Sequence, residues 1–369
     1  MQKKIFFIFG TRPEAIKLAP LIKAFKERKD FSTCICVSSQ HKELLSQVLH
    51  FFDILIDYDL DIMSSNQSLF DITNKCLGKL EHILKDENPD LVVVQGDTST
   101  AFSGALAAFY LQIPVAHVEA GLRTYDMNNP FPEEMNRNLI SKIATYHFSP
   151  TETSLNQLKD EGIKKNLWNV GNTIIDALQF TNNIVSNGFN SQLDLSIDEE
   201  KQLILVTGHR RENIGSPFKK LCEELVILSQ DKNLEIAFPL HLNPKLKNIA
   251  KDMLKNHDNI HLLSPQPYPE FVQLIKRSTI IVTDSGGIQE EAPLFGKPII
   301  VTRKTTERTE SLNHNSLLID LETESLSEEV LKLLHDKARL GSLSKPTRFY
   351  GDGTSSKQIV SILSEKLGL

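Results

Sequence analysis

Short runs of β-favouring apolar residues recur along this chain, each closing on a polar turn and followed by a helical period. They fall at residues 5–9, 34–38, 91–94, 113–118 and 146–148, then again at 203–206, 234–239, 260–263, 280–283 and 299–301. Runs that are apolar throughout, not alternating, suit strands buried on both faces, as in a parallel sheet covered by helices. The intervening segments supply those helices. Residues 15–26 place Leu18, Leu21, Ile22 and Phe25 on one face, with Pro20 expected to kink the helix. Further helices are predicted over 40–52, 69–85, 101–110 and 326–335, after a loop at 130–137, and at the C-terminus. The two series are separated by residues 183–199, polar and without a clear period, which read as a linker. At 369 residues the chain exceeds what one core normally organises. The predicted class is therefore α/β, with two doubly wound, Rossmann-like parallel-sheet domains facing a central cleft.

Charge and composition narrow the functional classes. A net charge of −6 gives no sign of a nucleic-acid or anionic-membrane partner. No segment approaches the ~20 apolar residues that span a bilayer, and the apolar run 5–9 breaks too early into Gly10-Thr11-Arg12-Pro13-Glu14 to be a signal peptide. Cys34, Cys36, Cys76 and Cys222 lack metal or redox spacing and suit a reducing compartment, so a cytoplasmic location is expected. Asp57, Asp59 and Asp61 alternate like a metal-binding row, yet nothing nearby supplies further ligands, and they read as a solvated edge. No metal and no cofactor are expected. The fingerprints of dinucleotide binding, Walker-type nucleotide hydrolysis, zinc proteases and α/β-hydrolases are all missing.

In doubly wound sheets ligands sit beyond the carboxyl ends of the strands, and the unusual polar clusters fall there. Residues 278–293 are the clearest case: a strand, then Asp284-Ser285-Gly286-Gly287, then a helix whose free N–H groups and dipole suit a phosphate. Ser285 adds a hydroxyl, Glu291 lies about one turn further in, and Pro293 should kink or shorten the helix. Arg12, Lys17, Arg210, Arg211, Arg303 and Arg308 are cations near strand ends, suited to a diphosphate. Asp97, Glu119, Glu133 and Glu134 are carboxylates of the first half, and His209 is of a residue type that can act as a general acid near neutral pH. Any one of these alone is an ordinary cap or ion pair. Their recurrence at strand ends argues for a site.

The order of the motifs is specific. Gly10-Thr11-Arg12-Pro13-Glu14-Ala15-Ile16-Lys17, Gly96-Asp97-Thr98, His117-Val118-Glu119-Ala120-Gly121-Leu122-Arg123-Thr124 and Pro132-Glu133-Glu134 occupy the first half. Gly208-His209-Arg210-Arg211-Glu212, His241-Leu242-Asn243-Pro244, residues 284–293 and Thr305-Thr306-Glu307-Arg308 follow. Over nearly its whole length the chain resembles the non-hydrolysing UDP-N-acetylglucosamine 2-epimerases of bacteria. The resemblance implies a glycosyltransferase-B-like fold, a homodimer and a UDP-sugar in the interdomain cleft. Residues 1–171 plus 354–369 would form the N-terminal, acid/base domain, with the last helix crossing back to it, and 172–353 the UDP-binding domain.

The same resemblance assigns roles. Asp97, Glu119 and Glu133 stand at the sugar as acid/base candidates, and His209 near the leaving diphosphate. Which of these carboxylates takes the C2 proton is not assigned by the resemblance; Asp97 is our own expectation for that role. Arg12 and Lys17 support the N-terminal side of the ligand. Ser285, Gly286 and Gly287 hold phosphate, Glu291 the ribose, Gln266 with Phe271 the uracil, and Arg308 the diphosphate. Gln40, Arg211 and His241 match a second site, where UDP-N-acetylglucosamine also acts as an allosteric activator. Two departures touch loop geometry: Thr309 stands where the family has proline, and Arg348-Phe349-Tyr350 where it has Asn-Pro-Tyr. Readings left open are a sibling epimerase for a C6-modified UDP-N-acetylhexosamine, a glycosyltransferase of the same fold, and an enzyme that hydrolyses off the free sugar.

Overall fold

The structure is a computed structural model. It describes residues 2–39, 42–64, 67–189, 191, 193, 197–198, 200–208, 215–240 and 243–369. The chain forms two compact units, Met1–Phe180 with Tyr350–Leu369, and Thr181–Phe349.

The first unit alternates strand and helix in order. These are β1 (Lys3–Phe9), α1 (Arg12–Lys26), β2 (Phe31–Val37), α2 (Lys42–Phe51), β3 (Tyr58–Asp59), α3 (Leu69–Glu87) and β4 (Leu91–Gln95). There follow α4 (Ser99–Tyr110), β5 (Val115–Val118), α5 (Glu133–Ile143), β6 (Tyr146–Ser149), α6 (Glu152–Asp160), β7 (Leu167–Asn169) and α7 (Thr173–Ser186). The sheet order is β3-β2-β1-β4-β5-β6-β7, all parallel. Ile5, Phe6, Phe7 and Ile8 pair with Leu91, Val92, Val93 and Val94, so β1 and β4 form the switch point from which the sheet grows both ways. Alternate strand residues feed opposite faces. Phe6, Ile8, Val92 and Val94 meet α3 and α4 through Leu80, Leu84, Ala101 and Ala105, while Phe7 packs on Phe25 of α1.

In the second unit the strands are β8 (Gln202–Thr207), β9 (Leu234–Pro239), β10 (Ile260–Leu263), β11 (Ile280–Thr283), β12 (Ile299–Val301) and β13 (Ser316–Leu318). The helices are α8 (Ser216–Leu228), α9 (Pro244–Leu254), α10 (Tyr268–Arg277), α11 (Gly286–Glu291), α12 (Leu326–His335) and α13 (Lys337–Leu343). The order β10-β9-β8-β11-β12-β13 repeats the same winding, again wholly parallel. The last helix, α14 (Ser355–Lys366), packs on α1 in the first unit. Asp176 of α7 accepts from Ser356 N at 2.8 Å and so caps α14, whose own Thr354 makes no side-chain cap bond.

Both sheets and their strand runs match the sequence reading, with differences that have clear causes. The stretch 130–137, expected as loop, already contains the first turn of α5 from Glu133. That helix buries Glu134, Asn136, Arg137 and Ser141 with a single aliphatic residue, Ile140, so its inner face carries no hydrophobic period. Residues 183–186 complete α7 and do not begin a linker. Beyond them Ile197 is buried and Leu193 packs on the second unit's core. α1 is continuous from Arg12 to Lys26 with Pro20 inside it. Pro293 does shorten α11, which ends at Glu291 and passes into a 3-10 turn, Ala292–Phe295. Asp57 and Asp59 serve the edge of the sheet, their carboxylates accepting from Ile35 N and Asp61 N. Among the described residues, no helix is long and apolar enough to cross a membrane.

Candidate active site

Because β1, β4 and β5 are parallel neighbours, the turns after them share one edge of the first unit's sheet. After β1, Thr11 caps α1 and Glu14 answers in a capping box. One Glu14 oxygen accepts from Gly10 N at 3.1 Å, Thr11 N at 2.8 Å and Thr11 Oγ1 at 2.7 Å. The other accepts from Thr98 Oγ1 at 2.7 Å, and Thr98 caps α4. Burial pushes the Glu14 carboxyl above the usual range, against the pull of these donors. This one carboxylate joins the turn that carries Arg12 to the turn that carries Asp97.

Arg12 opens α1 and Lys17 lies further along it; five residues apart, they point about 140° from one another around the helix. Lys17 is buried and its Nζ pairs with Glu119 Oε2. The same oxygen accepts from Gln95 Nε2 at 2.8 Å and from Asn172 Nδ2 at 3.3 Å. Glu119 follows β5 directly with φ 68°, a left-handed backbone that costs a non-glycine residue about 1 kcal/mol or more. Its position is enforced by its surroundings.

Asp97 follows Gly96, whose φ of 66° makes the turn after β4. Arg137 Nη2 stands 3.0 Å from Asp97 Oδ2, with the aspartate side chain 26% exposed and the arginine 4%. Asn136 Nδ2 donates to Asp97 O at 2.8 Å, and His117 Nε2 donates to Gly96 O at 2.7 Å. Burial lowers His117 to about 3, so the ring is neutral and the carbonyl acceptor puts its proton on Nε2. Glu134, beside Glu133 in the first turn of α5, lies 3.5 Å from Arg137 Nε and accepts from Thr124 N and Tyr125 N, each at 3.1 Å. Asp97 thus reaches solvent from a backbone and a side chain that are both held, an arrangement that suits proton transfer to an outside molecule.

The second unit builds a different site. Ser285 N donates to Thr283 Oγ1 at 2.9 Å, and Gly286 begins α11 without a side-chain cap. A Cβ on Gly286 would lie 2.7 Å from Arg308 Cζ, whereas one on Gly287 would meet only Ser285 Oγ, at 3.9 Å. Arg308 Nε donates to Glu290 at 2.9 Å, and its Nη1 pairs with Glu307. Arg303 Nη1 also reaches Glu307, at 3.0 Å. Tyr268 Oη donates to Glu291 Oε1 at 2.6 Å. Gln266, in the turn into α10, bonds Ser264 O at 2.7 Å, and Phe271 packs its ring on the core beneath. With Thr309 in place of proline, this loop is fixed by Thr306, which donates to Gln289 Oε1 at 2.8 Å and accepts from Arg308 N at 3.2 Å.

The structure therefore joins Lys17 to Glu119, sets Asp97 on the neighbouring turn with Glu133 opening α5, and puts Gly286 against Arg308. His209, Arg210 and Arg211, with Gln40 and His241, lie outside the described residues. Sequence reasoning named no role for Glu14, Gln95, Arg137, Asn172 or Tyr268. Glu14 carried a signal, since Thr11 and Glu14 have capping-box spacing; the others acquire partners only through the sheet.

Comparison with known proteins bears on these two clusters. The sequence profile described as UDP-N-acetylglucosamine 2-epimerase matches residues 23–364. A UDP-N-acetylglucosamine 2-epimerase of Campylobacter jejuni is 45% identical over 374 residues, covering 98% of each chain. The crystal structure of the Neisseria meningitidis UDP-GlcNAc 2-epimerase bound to UDP-GlcNAc superposes with a TM-score of 0.95 at 42% identity, over 98% of this chain and 100% of that one. A glycosyltransferase at 13% identity and a TM-score of 0.65, over 98% and 99% of the two chains, shares the fold alone. With two Rossmann-like sheets, polar clusters at their carboxyl edges and this similarity from end to end, the chain belongs to the UDP-N-acetylglucosamine 2-epimerase family of carbohydrate isomerases.

Proposed function

We propose that this chain interconverts UDP-N-acetylglucosamine and UDP-N-acetylmannosamine by eliminating UDP and adding it back. The C2 hydrogen has no adjacent carbonyl, so simple deprotonation gains little stabilisation. In the proposed step a carboxylate takes the C2 proton and the C–H electron pair becomes the C1–C2 double bond. The C1–O bond breaks with its electrons leaving on UDP, which gives a 2-acetamidoglucal. Return delivers a proton to the opposite face of C2, and a UDP oxygen closes on C1. No bond is lost and no oxidant is needed.

The observation that carries this reading is the pairing of a part-exposed, anchored Asp97 with a buried, triply held Glu119 on neighbouring strand ends. Two carboxylates in unlike surroundings suit the two opposite proton transfers that epimerisation requires. In this reading Asp97 removes the C2 proton, and Glu119 and Glu133 serve the other face and the leaving oxygen, with His209 beside the diphosphate. Arg12 and Lys17 support that side of the ligand. Arg308, Ser285, Gly286 and Gly287 take the diphosphate, Glu291 the ribose hydroxyls, and Gln266 with Phe271 the uracil.

We also propose a cytoplasmic homodimer that supplies precursors for cell-surface polysaccharide and is activated by UDP-N-acetylglucosamine at a second site containing Gln40, Arg211 and His241. Incubation with UDP-N-acetylglucosamine in D2O, followed by NMR, tests the chemistry. Deuterium at C2 together with the mannosamine epimer is expected. An epimer carrying only the original hydrogen would overturn the route. A sigmoidal dependence of rate on substrate tests the second site, which simple hyperbolic kinetics would remove.

A further inference from the structure

Asn172 stands between β7 and α7 and is almost fully buried. Each polar group of this residue has its own task. Its Oδ1 accepts from Ile174 N at 3.1 Å, which caps α7. Its backbone N–H donates to Tyr350 O at 2.7 Å, at the point where the chain rejoins the first unit. Its Nδ2 donates to Glu119 Oε2 at 3.3 Å.

The seat of Asn172 is tight. A Cβ on Gly171 would stand 3.0 Å from Gly351 Cα and 3.2 Å from Tyr350 O, and both glycines have left-handed backbones, with φ of 83° and 117°. Two glycines facing each other let the returning segment approach close enough for the Tyr350 carbonyl to meet Asn172 N. The side chain has little room to move, because its other end is committed to α7. It therefore presents a fixed N–H to a carboxylate whose backbone is itself in the left-handed region. Lys17 and Gln95 reach the same oxygen from α1 and β4. Three donors from three separate elements converge on Oε2 and so define the plane of the carboxylate.

We infer that Asn172 is a positioning residue for Glu119: clamped by α7 and by the returning Tyr350–Gly351 segment, it fixes the orientation in which that carboxylate meets the sugar. This rests on the acid/base role proposed above for Glu119. Asn172 touches no reacting atom in this account and acts only through its neighbour.

The decisive substitution is Asn172→Asp, which keeps the shape and an oxygen for the α7 cap while replacing the donor with an acceptor facing Glu119. Asp and Asn serve about equally as caps. Misplacing a reacting group by about 1 Å costs on the order of a hundredfold in rate. The expected result is a kcat lowered between about tenfold and a hundredfold, with KM for UDP-N-acetylglucosamine unchanged, measured well below a melting temperature that the second buried carboxylate itself lowers. Should Asn172→Asp not fold, Asn172→Ser decides the matter: serine caps as well but is too short to reach Glu119, and the same split between kcat and KM is expected. Wild-type kcat in the folded variant, or a rate loss confined to temperatures near its melting transition, would overturn the inference. Glu119→Gln is measured alongside. If it is inactive while the Asn172 variants are normal, the inference alone fails; if Glu119→Gln turns over normally, the role of Glu119 itself is lost.

Discussion

Thr98 Oγ1 donates to Glu14 Oε1 at 2.7 Å, tying the turn after β4 to the turn after β1 across 84 residues of sequence. The aspartate next to Thr98 and the arginine two residues before Glu14 both belong to the proposed site. Their spacing is thereby set from below, by a carboxylate that no ligand needs to touch.

Glu14→Gln would place an amide NH2 among donors that now converge on two acceptor oxygens. At least one buried donor then loses its partner. Stability should fall by about 2 kcal/mol, read as a lower urea midpoint with an unchanged slope. An unaltered midpoint would mean that the bridge contributes nothing.

Asp97→Asn keeps the size of the side chain and removes its basicity. Turnover should drop by about 10²- to 10⁴-fold. The loss of C2 deuterium exchange should match the loss of epimer. Near-normal turnover would take the proton-abstracting role away from Asp97.

His117 gives a pH dependence with a definite sign. Burial holds it at about 3 in the folded chain, below its ordinary value of 6.5. A depressed value means that the unfolded chain binds the proton first, so this residue's contribution is complete above pH 6.5 and erodes as pH falls toward 3. His117→Gln keeps a donor for Gly96 O but does not titrate. The stability of the natural protein relative to this variant should decline by about 1.4 kcal/mol per pH unit below neutrality, measured by denaturant unfolding at several pH values. A difference independent of pH would refute it.

Gly286→Ala would bring a methyl group against the Arg308 guanidinium, which Glu290 and Glu307 already pin. One of these must move. If Arg308 holds the diphosphate, UDP affinity measured by calorimetry should fall about tenfold, or about 1.4 kcal/mol, while the unfolding transition stays cooperative. An unchanged Kd would remove Arg308 from the phosphate site.

The division between what was legible in the sequence and what was not follows the range of the interactions. Continuous apolar runs are a local record of burial on both faces, and the glycines and caps after them a local record of turns. The parallel sheets and the carboxyl-edge position of Asp97, Glu119, Ser285 and Gly286 could therefore be read directly. The first turn of α5 could not, because its inner face is made of Glu134, Asn136 and Arg137, polar groups whose partners, Thr124 N, Tyr125 N and the backbone and carboxylate of Asp97, lie on other segments of the chain. Short edge strands such as Tyr58–Asp59 and Ser316–Leu318 likewise depend on a neighbour to exist.

By itself the sequence determined the long buried strands, the helices with an apolar face, the turns that follow them, and which family's motifs stand at those turns. Only the tertiary structure decided who meets whom: Lys17 and Glu119 are 102 positions apart, and Asn172 finds Tyr350 only once the chain has returned. Periodicity records whether a residue is buried, since that depends on its own element. A polar partnership depends on two elements at once, and it exists only after the parallel sheet has brought their ends together.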